Sequence, residues 1–383
     1  MRWSHTQSIS QPAIIDVVDY SASADGSKIA VLRKTGITAN AVETFDLTIL
    51  DTRSGVFATL LDSTERLATF RISPDGRWLA LMNDLQQLYL LPTDGSGAGE
   101  KISECRSGSA GDCNDLSWSP DSLAVIWDDA RGIWQAGPSK LLPSLVISNQ
   151  LEIADPKGQM TRKQVQFHGL AWSPFGRYFL TRIQPNGSDV SWQAVVDTSL
   201  GRMAEIRTSY QLDQPTALVF WLKDGNLAVV HRDENQKDSQ VALESWQILP
   251  TRPDLMSLDF RWEVDIERLE AFKSSQYTDG LPTTPCQLND RTLSLAWNSS
   301  QLDGPGGLFT FDIKYGILKR IADIPAHIVK AIWTPEGDAA LVQGSDGTLR
   351  YVSIDGNTIT DLSNRFGQQT CCFTWLVSET GLD

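Results

Sequence analysis

The stretch Ser73-Pro74-Asp75-Gly76 follows a short alternating segment, Leu67-Ala68-Thr69-Phe70-Arg71-Ile72, and this unit returns along the 383-residue chain. Its chemistry is specific. Proline presets φ near −65° at the second position of a tight turn, the Asp side chain accepts hydrogen bonds from amides two residues on, and Gly accepts a positive φ. Upstream, Phe70 and Ile72 share one face of a strand. Downstream, Trp78-Leu79-Ala80-Leu81-Met82 is apolar without interruption, which suits a strand buried on both faces.

The copies are readable in order. Ser23-Ala24-Asp25-Gly26 precedes Ile29-Ala30-Val31-Leu32, and Trp118-Ser119-Pro120-Asp121-Ser122 precedes Leu123-Ala124-Val125-Ile126. Trp172-Ser173-Pro174-Phe175-Gly176 precedes Tyr178-Phe179-Leu180, and Trp221-Leu222-Lys223-Asp224-Gly225 precedes Leu227-Ala228-Val229-Val230. A weaker copy lies at Leu288-Asn289-Asp290-Arg291, and a clear one at Trp333-Thr334-Pro335-Glu336-Gly337. Phe373-Thr374-Trp375-Leu376 repeats the lead-in strand without its turn. The aligned positions Ala22, Ile72, Trp118, Trp172, Trp221, Gln287, Trp333 and Trp375 are separated by 50, 46, 54, 49, 66, 46 and 42 residues. A repeat of about 40–50 residues built from four strands is a β-propeller blade. Seven intervals predict an all-β chain of seven four-stranded blades. Residues 1–12 read as an N-terminal tail or edge strand, 13–377 as one propeller and 378–383 as a C-terminal tail.

A second punctuator supports the count. Asp51-Thr52-Arg53-Ser54-Gly55, Pro92-Thr93-Asp94-Gly95, Asp197-Thr198-Ser199-Leu200-Gly201, Asp312-Ile313-Lys314-Tyr315-Gly316 and Ile354-Asp355-Gly356-Asn357 fall between the third and fourth strands of their repeats. Blades 2 to 7 are placed at about 67–105, 114–149, 165–209, 215–262, 284–323 and 328–362. Asn149 to Lys163 reads as a polar insertion. Glu263 to Phe272 reads as a strand with a following loop, in preference to a helix. The two copies of the first strand, at 14–21 and 371–376, leave the closure open between a seam and a truncated eighth blade.

Composition narrows the function. The net charge of −14 argues against phosphate-directed nucleic-acid binding, which needs clustered Lys and Arg. No run approaches the roughly 20 apolar residues of a membrane span, so no membrane insertion is expected. Residues 1–11 lack the apolar segment of a signal peptide. The chain reads as soluble, cytoplasmic as written and extracytoplasmic if a leader was removed. Among five cysteines, Cys105 and Cys113 bracket a Gly/Ser loop at a spacing that suits a disulfide in an oxidising compartment. Cys286 stands alone, and Cys371 and Cys372 are adjacent.

Each chemistry-bearing residue has a structural reading that is stronger than the functional one. Trp118, Trp172, Trp221, Trp333 and Trp375 resemble a sugar-stacking set, but each recurs where a large ring fills the space between blades. Asp25, Asp75, Asp121 and Asp224 belong to separate turns and are not paired catalytic carboxylates. Gly95 to Lys101 resembles a phosphate loop, but Glu100 separates Gly99 from Lys101 and a strand follows. His5, His168, His231 and His327 have no metal spacing, and no Gly-x-Ser-x-Gly elbow occurs. Asn186-Gly187-Ser188 and Asn298-Ser299-Ser300 match glycosylation triplets. No catalytic, cofactor-binding or metal residue is assigned, no cofactor is expected, and no individual binding residue is nominated.

The repeated unit, strongest in Ser73-Pro74-Asp75-Gly76, Trp118-Ser119-Pro120-Asp121 and Trp172-Ser173-Pro174, resembles the TolB-type, WD-repeat-like propellers of bacteria. The resemblance covers about residues 14–376. WD repeats proper are disfavoured, because Trp127-Asp128 is the single Trp-Asp pair and lies on a second strand. The TolB-type resemblance implies a protein or peptide partner at the funnel. Similar propellers cap prolyl-oligopeptidase-type peptidases, whose hydrolase domain is not expected in this chain. The expected function is non-enzymatic protein or peptide binding, or a scaffold role. The alternatives are a glycan-active hydrolase or lyase with a site built from blade loops, and the sensor part of a larger signalling protein.

Overall fold

The structure is a computed structural model and describes residues 16–37, 43–64, 67–105, 115–154, 159–205, 217–232, 240–249, 252–265, 282–299, 304–334 and 336–362. Among them every regular element is a β-strand, and the strands form seven antiparallel sheets. The fold is a seven-bladed β-propeller. Blade 1 consists of Val17–Ala22, Lys28–Ile37, Glu43–Asp51 and Phe57–Thr64. Blade 2 consists of Leu67–Ile72, Trp78–Asn83, Gln87–Pro92 and Glu100–Glu104, and blade 3 of Leu116–Trp118, Val125–Asp129, Gly132–Gly137 and Lys140–Ser148. The four repeat strands of blade 4 end at Arg202–Glu205; blades 5, 6 and 7 begin at Ala217–Trp221, Pro282–Asn289 and Ile328–Trp333. In every blade the strands, named a to d in chain order, pair with their sequence neighbours. The chain divides into two compact units, one carrying blades 1–4 and one carrying blades 5–7.

The hydrophobic pattern explains the stacking. Second strands are apolar on both faces, as Leu79, Ala80, Leu81 and Met82 show, all at or below 4% exposure. Alternate residues therefore enter two different cores. Leu79 and Leu81 join Ala30, Leu47 and Ile49 between blades 1 and 2. Ala80 and Met82 join Val125, Trp127 and Ala136 between blades 2 and 3. Ile126 and Ile133 meet Phe167, Phe179 and Val196 between blades 3 and 4. The second unit repeats the scheme, with Trp297, Phe309 and Phe311 against Leu222 and Val230, and Leu308 and Ile324 against Val342 and Val352.

One part of the sequence reading is corrected. Residues 149–163 are not a featureless polar insertion. Gln150–Ala154 pairs with the first half of the long strand Met160–Trp172, whose second half pairs with Tyr178–Pro185, so blade 4 carries a fifth strand. The hairpin holds because Leu151 and Ile153 alternate onto one face and pack against the core between blades 3 and 4. Glu152 stands opposite Arg162 on its other face. The strand reading near residue 263 agrees with Arg252–Asp265, and the rest of that segment lies outside the described residues. Of the two copies of the first strand, the one at 14–21 corresponds to Val17–Ala22 of blade 1, and the one at 371–376 lies outside the described residues.

Candidate functional site

The recurring turn is a closed hydrogen-bond unit. In blade 2 the Ser73 hydroxyl donates to Asp75 Oδ1 (2.6 Å) and accepts from the Trp78 amide (3.0 Å). Asp75 Oδ1 also accepts from the Arg77 amide (3.1 Å), and Gly76 N–H donates to the Ser73 carbonyl (2.9 Å). Ser23 with Asp25, and Ser119 with Asp121, repeat the pattern. Asp224 keeps the amide bond, to Asn226. The motif aspartates are thus placed in separate turns, each engaged locally.

The c–d turns lie at the same end as the a–b turns. Thr52 Oγ1 donates to the Gly26 carbonyl (2.7 Å), Thr93 Oγ1 to Gly76 (2.6 Å) and Thr198 Oγ1 to Arg177 (2.8 Å). In blade 4 Asp197, its side chain 1% exposed, pairs with Arg177 at 2.8 Å. Burial alone would raise the Asp197 carboxyl, but the Ser199 hydroxyl and the Arg177 guanidinium outweigh it and hold the group below its ordinary value. Successive turns also bond each other. Ala24 N–H donates to the Pro74 carbonyl (2.9 Å), and Asp75 N–H to Ser122 Oγ (2.9 Å). Ser122 holds a φ of 62° where glycine is usual, and its hydroxyl is the acceptor of this second bond.

The tryptophans join blades. Trp118 Nε1 donates to the Arg71 carbonyl of blade 2 (2.9 Å), and Trp172 Nε1 to the Ser117 carbonyl of blade 3 (3.1 Å). In both cases the acceptor precedes the aligned position of the preceding blade. Trp333 is equally buried, but its Nε1 has no partner among the described residues. Trp221 is half-buried, and Trp375 lies outside the described residues.

Blade 4 breaks the turn rule. Phe175 occupies the position that Asp holds in blades 1, 2 and 3, and it is 72% exposed. It can neither receive the Ser173 hydroxyl nor cap the following amides. The Gly176 Cα faces blade 3, where an added Cβ would lie 3.6 Å from Pro120 Cδ and 3.8 Å from Asp121 Oδ2. The phenyl ring therefore belongs to a turn seated against the blade 3 turn, which exposes Leu123 (65%). Leu200, in the c–d turn of blade 4, adds a third apolar side chain at 53% exposure. In the sequence, Phe175 stands only as part of one copy of the motif and is not nominated as a site. The signal was there: an apolar residue replacing a turn-capping carboxylate.

The remaining candidates disperse. Gly95 to Gly99 forms the c–d connection of blade 2, as read. Cys105 is disulfide-bonded, while Cys113, Cys371 and Cys372 lie outside the described residues. Cys286 is a free thiol, pushed up by burial. Asn298 is tied to Ile328 through both side-chain atoms, accepting its N–H (2.7 Å) and donating to its carbonyl (3.1 Å). Asn186 is exposed. His327 Nε2 lies 3.3 Å from Ser299 Oγ, and His5 lies outside the described residues. His168 feels the charges of Arg182 and Asp115. Burial, then Arg182, lower its pKa against the opposing effect of Asp115. Asp115 Oδ2 accepts the Gly169 amide (2.5 Å). No group of three or more His, Cys, Asp and Glu side chains poised to hold a metal occurs among the described residues.

No protein-family model matches the chain, and no curated protein matches it in sequence. Solved structures do. The C-terminal WD40 domain of Sif2 aligns with a TM-score of 0.51 at 12% identity, over 88% of this chain and 82% of that one. An oligogalacturonate lyase in complex with manganese gives 0.51 at 12%, over 89% and 86%. A prolyl endopeptidase gives 0.54 at 15%, over 90% of this chain and 49% of that one. The likeness is one of fold. Among the described residues no helix is long and apolar enough to cross a membrane.

Proposed function

We propose that this propeller is a non-enzymatic protein- or peptide-binding module, and that the turn face of blades 3 and 4 is its docking surface. The observation that carries the reading is Phe175. A residue that gives up the turn's own hydrogen bonds to expose an aromatic ring costs stability locally, and such exceptions concentrate at functional positions. Aromatic side chains are preferred anchors of interfaces, and exposed Leu123 and Leu200, on turns of blades 3 and 4, supply further apolar surface. The TolB-type resemblance of the repeat unit points the same way.

The test separates binding from folding. Phe175→Asp restores the turn chemistry of the other blades. It should raise or preserve the melting temperature while reducing capture of a cross-linked protein partner by at least about tenfold. A photo-reactive residue at position 175 should yield the same partner. A chain that captures nothing through this face, yet turns over a glycan substrate, would overturn the reading in favour of an enzyme. In that case Asp115 and His168, contributed by neighbouring blades, are the groups to substitute next.

A further inference from the structure

The turn end of blades 3 and 4 closes on itself through a circuit of contacts. The Gly176 Cα of the blade 4 a–b turn faces Pro120 and Asp121 in the a–b turn of blade 3. Within blade 3, the Gly137 Cα lies so close to the Leu123 carbonyl that no side chain fits there. Gly137 also pairs with Lys140, the first residue of the fourth strand, Lys140–Ser148. That strand meets the c–d turn of blade 4, where a Cβ added to Gly201 would lie 2.7 Å from the Val146 carbonyl oxygen. The c–d turn returns to the a–b turn of its own blade through the Arg177–Asp197 ion pair and the Thr198 hydroxyl. Both blades belong to the same compact unit.

What this circuit exposes is apolar. Phe175, Leu123 and Leu200 are joined by Leu142, 80% exposed, and by Leu141 and Leu145 on the fourth strand of blade 3. Six of the 18 large apolar side chains exposed among the described residues therefore lie on one small part of the molecule. Pro143 interrupts the amides of that strand, so a partner is held here by side chains rather than by strand addition. Two cations border the surface. Lys140 and Arg202 open the fourth strands of blades 3 and 4, are exposed, and have no ion-pair partner among the described residues. The acids are already engaged. Asp121 accepts from the Ser119 hydroxyl and the Leu123 amide, and Asp197 from Arg177 and Ser199. In these turns Lys140, Arg177 and Arg202 outnumber Asp121 and Asp197, although the whole chain carries a net charge of −14.

We infer that the partner of this surface is an acidic, apolar peptide segment, with large apolar side chains flanked by Asp or Glu; the inference rests on the docking role of Phe175. Clustered exposed apolar side chains mark an interaction site, and they supply its anchors. The charges at the rim then select the partner. Lys140 and Arg202 attract carboxylates and disfavour a basic segment, against the sign of the chain as a whole. A second copy of the chain would bring the same two cations to the contact, with no unengaged acid from these turns to meet them. An anionic bilayer is disfavoured by the net charge, which two cations do not offset.

The experiment selects a random peptide library displayed on phage against the intact protein. Enriched peptides are synthesised and titrated by fluorescence anisotropy. They should combine Leu, Ile, Phe or Trp with Asp or Glu. Leu142→Ser, and separately Lys140→Glu with Arg202→Glu, should each weaken them at least about tenfold. Melting temperatures should stay close to the parent, because all three side chains are exposed. Selection against the charge-reversed variant should return peptides rich in Lys and Arg. Recovery of no binder, peptides without an excess of Asp and Glu, or affinity indifferent to these substitutions would overturn the proposal. So would dimerisation, or binding to phosphatidylserine vesicles, that Leu142→Ser abolishes. Peptides that lose affinity with Phe175→Asp but ignore the charge reversal refute the acidic partner alone. Peptides that ignore both Phe175→Asp and Leu142→Ser refute the docking face itself.

Discussion

Trp118 and Trp333 occupy the same place in their repeats and are buried to nearly the same degree, yet they differ in one hydrogen bond. Trp118 reaches the Arg71 carbonyl, whereas the Trp333 N–H is buried without a partner among the described residues. Trp118→Phe should therefore destabilise the protein by about 1 kcal/mol more than Trp333→Phe, measured by chemical denaturation. Full truncation to Ala at either site removes the packing as well and should cost about 3–5 kcal/mol. At this scale the sequence was legible where a residue type recurs. A large ring at a fixed place declares a core position. Whether its polar atom finds an acceptor depends on the preceding blade, and the poor copy around Gln287 gave no way to judge that. A second residue sets a pH response. Burial and Arg182 keep His168 below its ordinary value of 6.5. The folded state therefore binds a proton there less readily than the unfolded chain, and stability should fall as pH drops below about 6.5. His168→Gln should flatten that part of a melting-temperature profile between pH 7 and pH 5. An unchanged profile would remove His168 as its cause.

At the scale of the element, the a–b and c–d turns act as one brace in blades 1, 2, 4, 6 and 7. Asp197 joins them in blade 4, and its lowered pKa adds stability that is present above the ordinary carboxylate value and lost as pH falls below it. Asp197→Asn should weaken the protein at neutral pH and make its acid unfolding limb less steep. Conservation of the parent slope would show that other carboxylates govern it. These turns were legible because Asp, Thr, Ser and Gly act through local geometry that a few consecutive residues specify. The hairpin Gln150–Ala154 with Met160–Gln164 was not. Its inward residues are only Leu151 and Ile153, too few to stand out as alternation, and their burial depends on the blade that follows.

At the scale of the molecule, five cores are each shared by consecutive blades, so stability propagates between nearest neighbours, while Leu341, Leu349 and Leu362 form a smaller cluster within blade 7. Trp118→Ala removes a ring from the core between blades 2 and 3. Hydrogen exchange should accelerate first in Leu67–Ile72, Leu116–Trp118 and the strands beside them, with blades 6 and 7 retaining parental protection at the same denaturant concentration. Uniform acceleration through all seven sheets would show a single cooperative unit instead. The number of blades could be counted from the repeat because every blade needs its own turn. The proposed docking face could not, because Leu123, Phe175 and Leu200 stand on three separate turns.

The bonds from turn to turn also bear on how such a chain diversifies. Ala24 leans on Pro74, and Asp75 on Ser122, so each a–b turn is part of the mould for the next. Lengthening one by a residue would misplace its neighbour. Novelty on this side must come from exchanging side chains at fixed backbone positions, as Phe175 exemplifies. The opposite rim, where the b–c loop of blade 2 carries Leu85 at 69% exposure, is the side on which insertions can accumulate and foreign loops can be grafted.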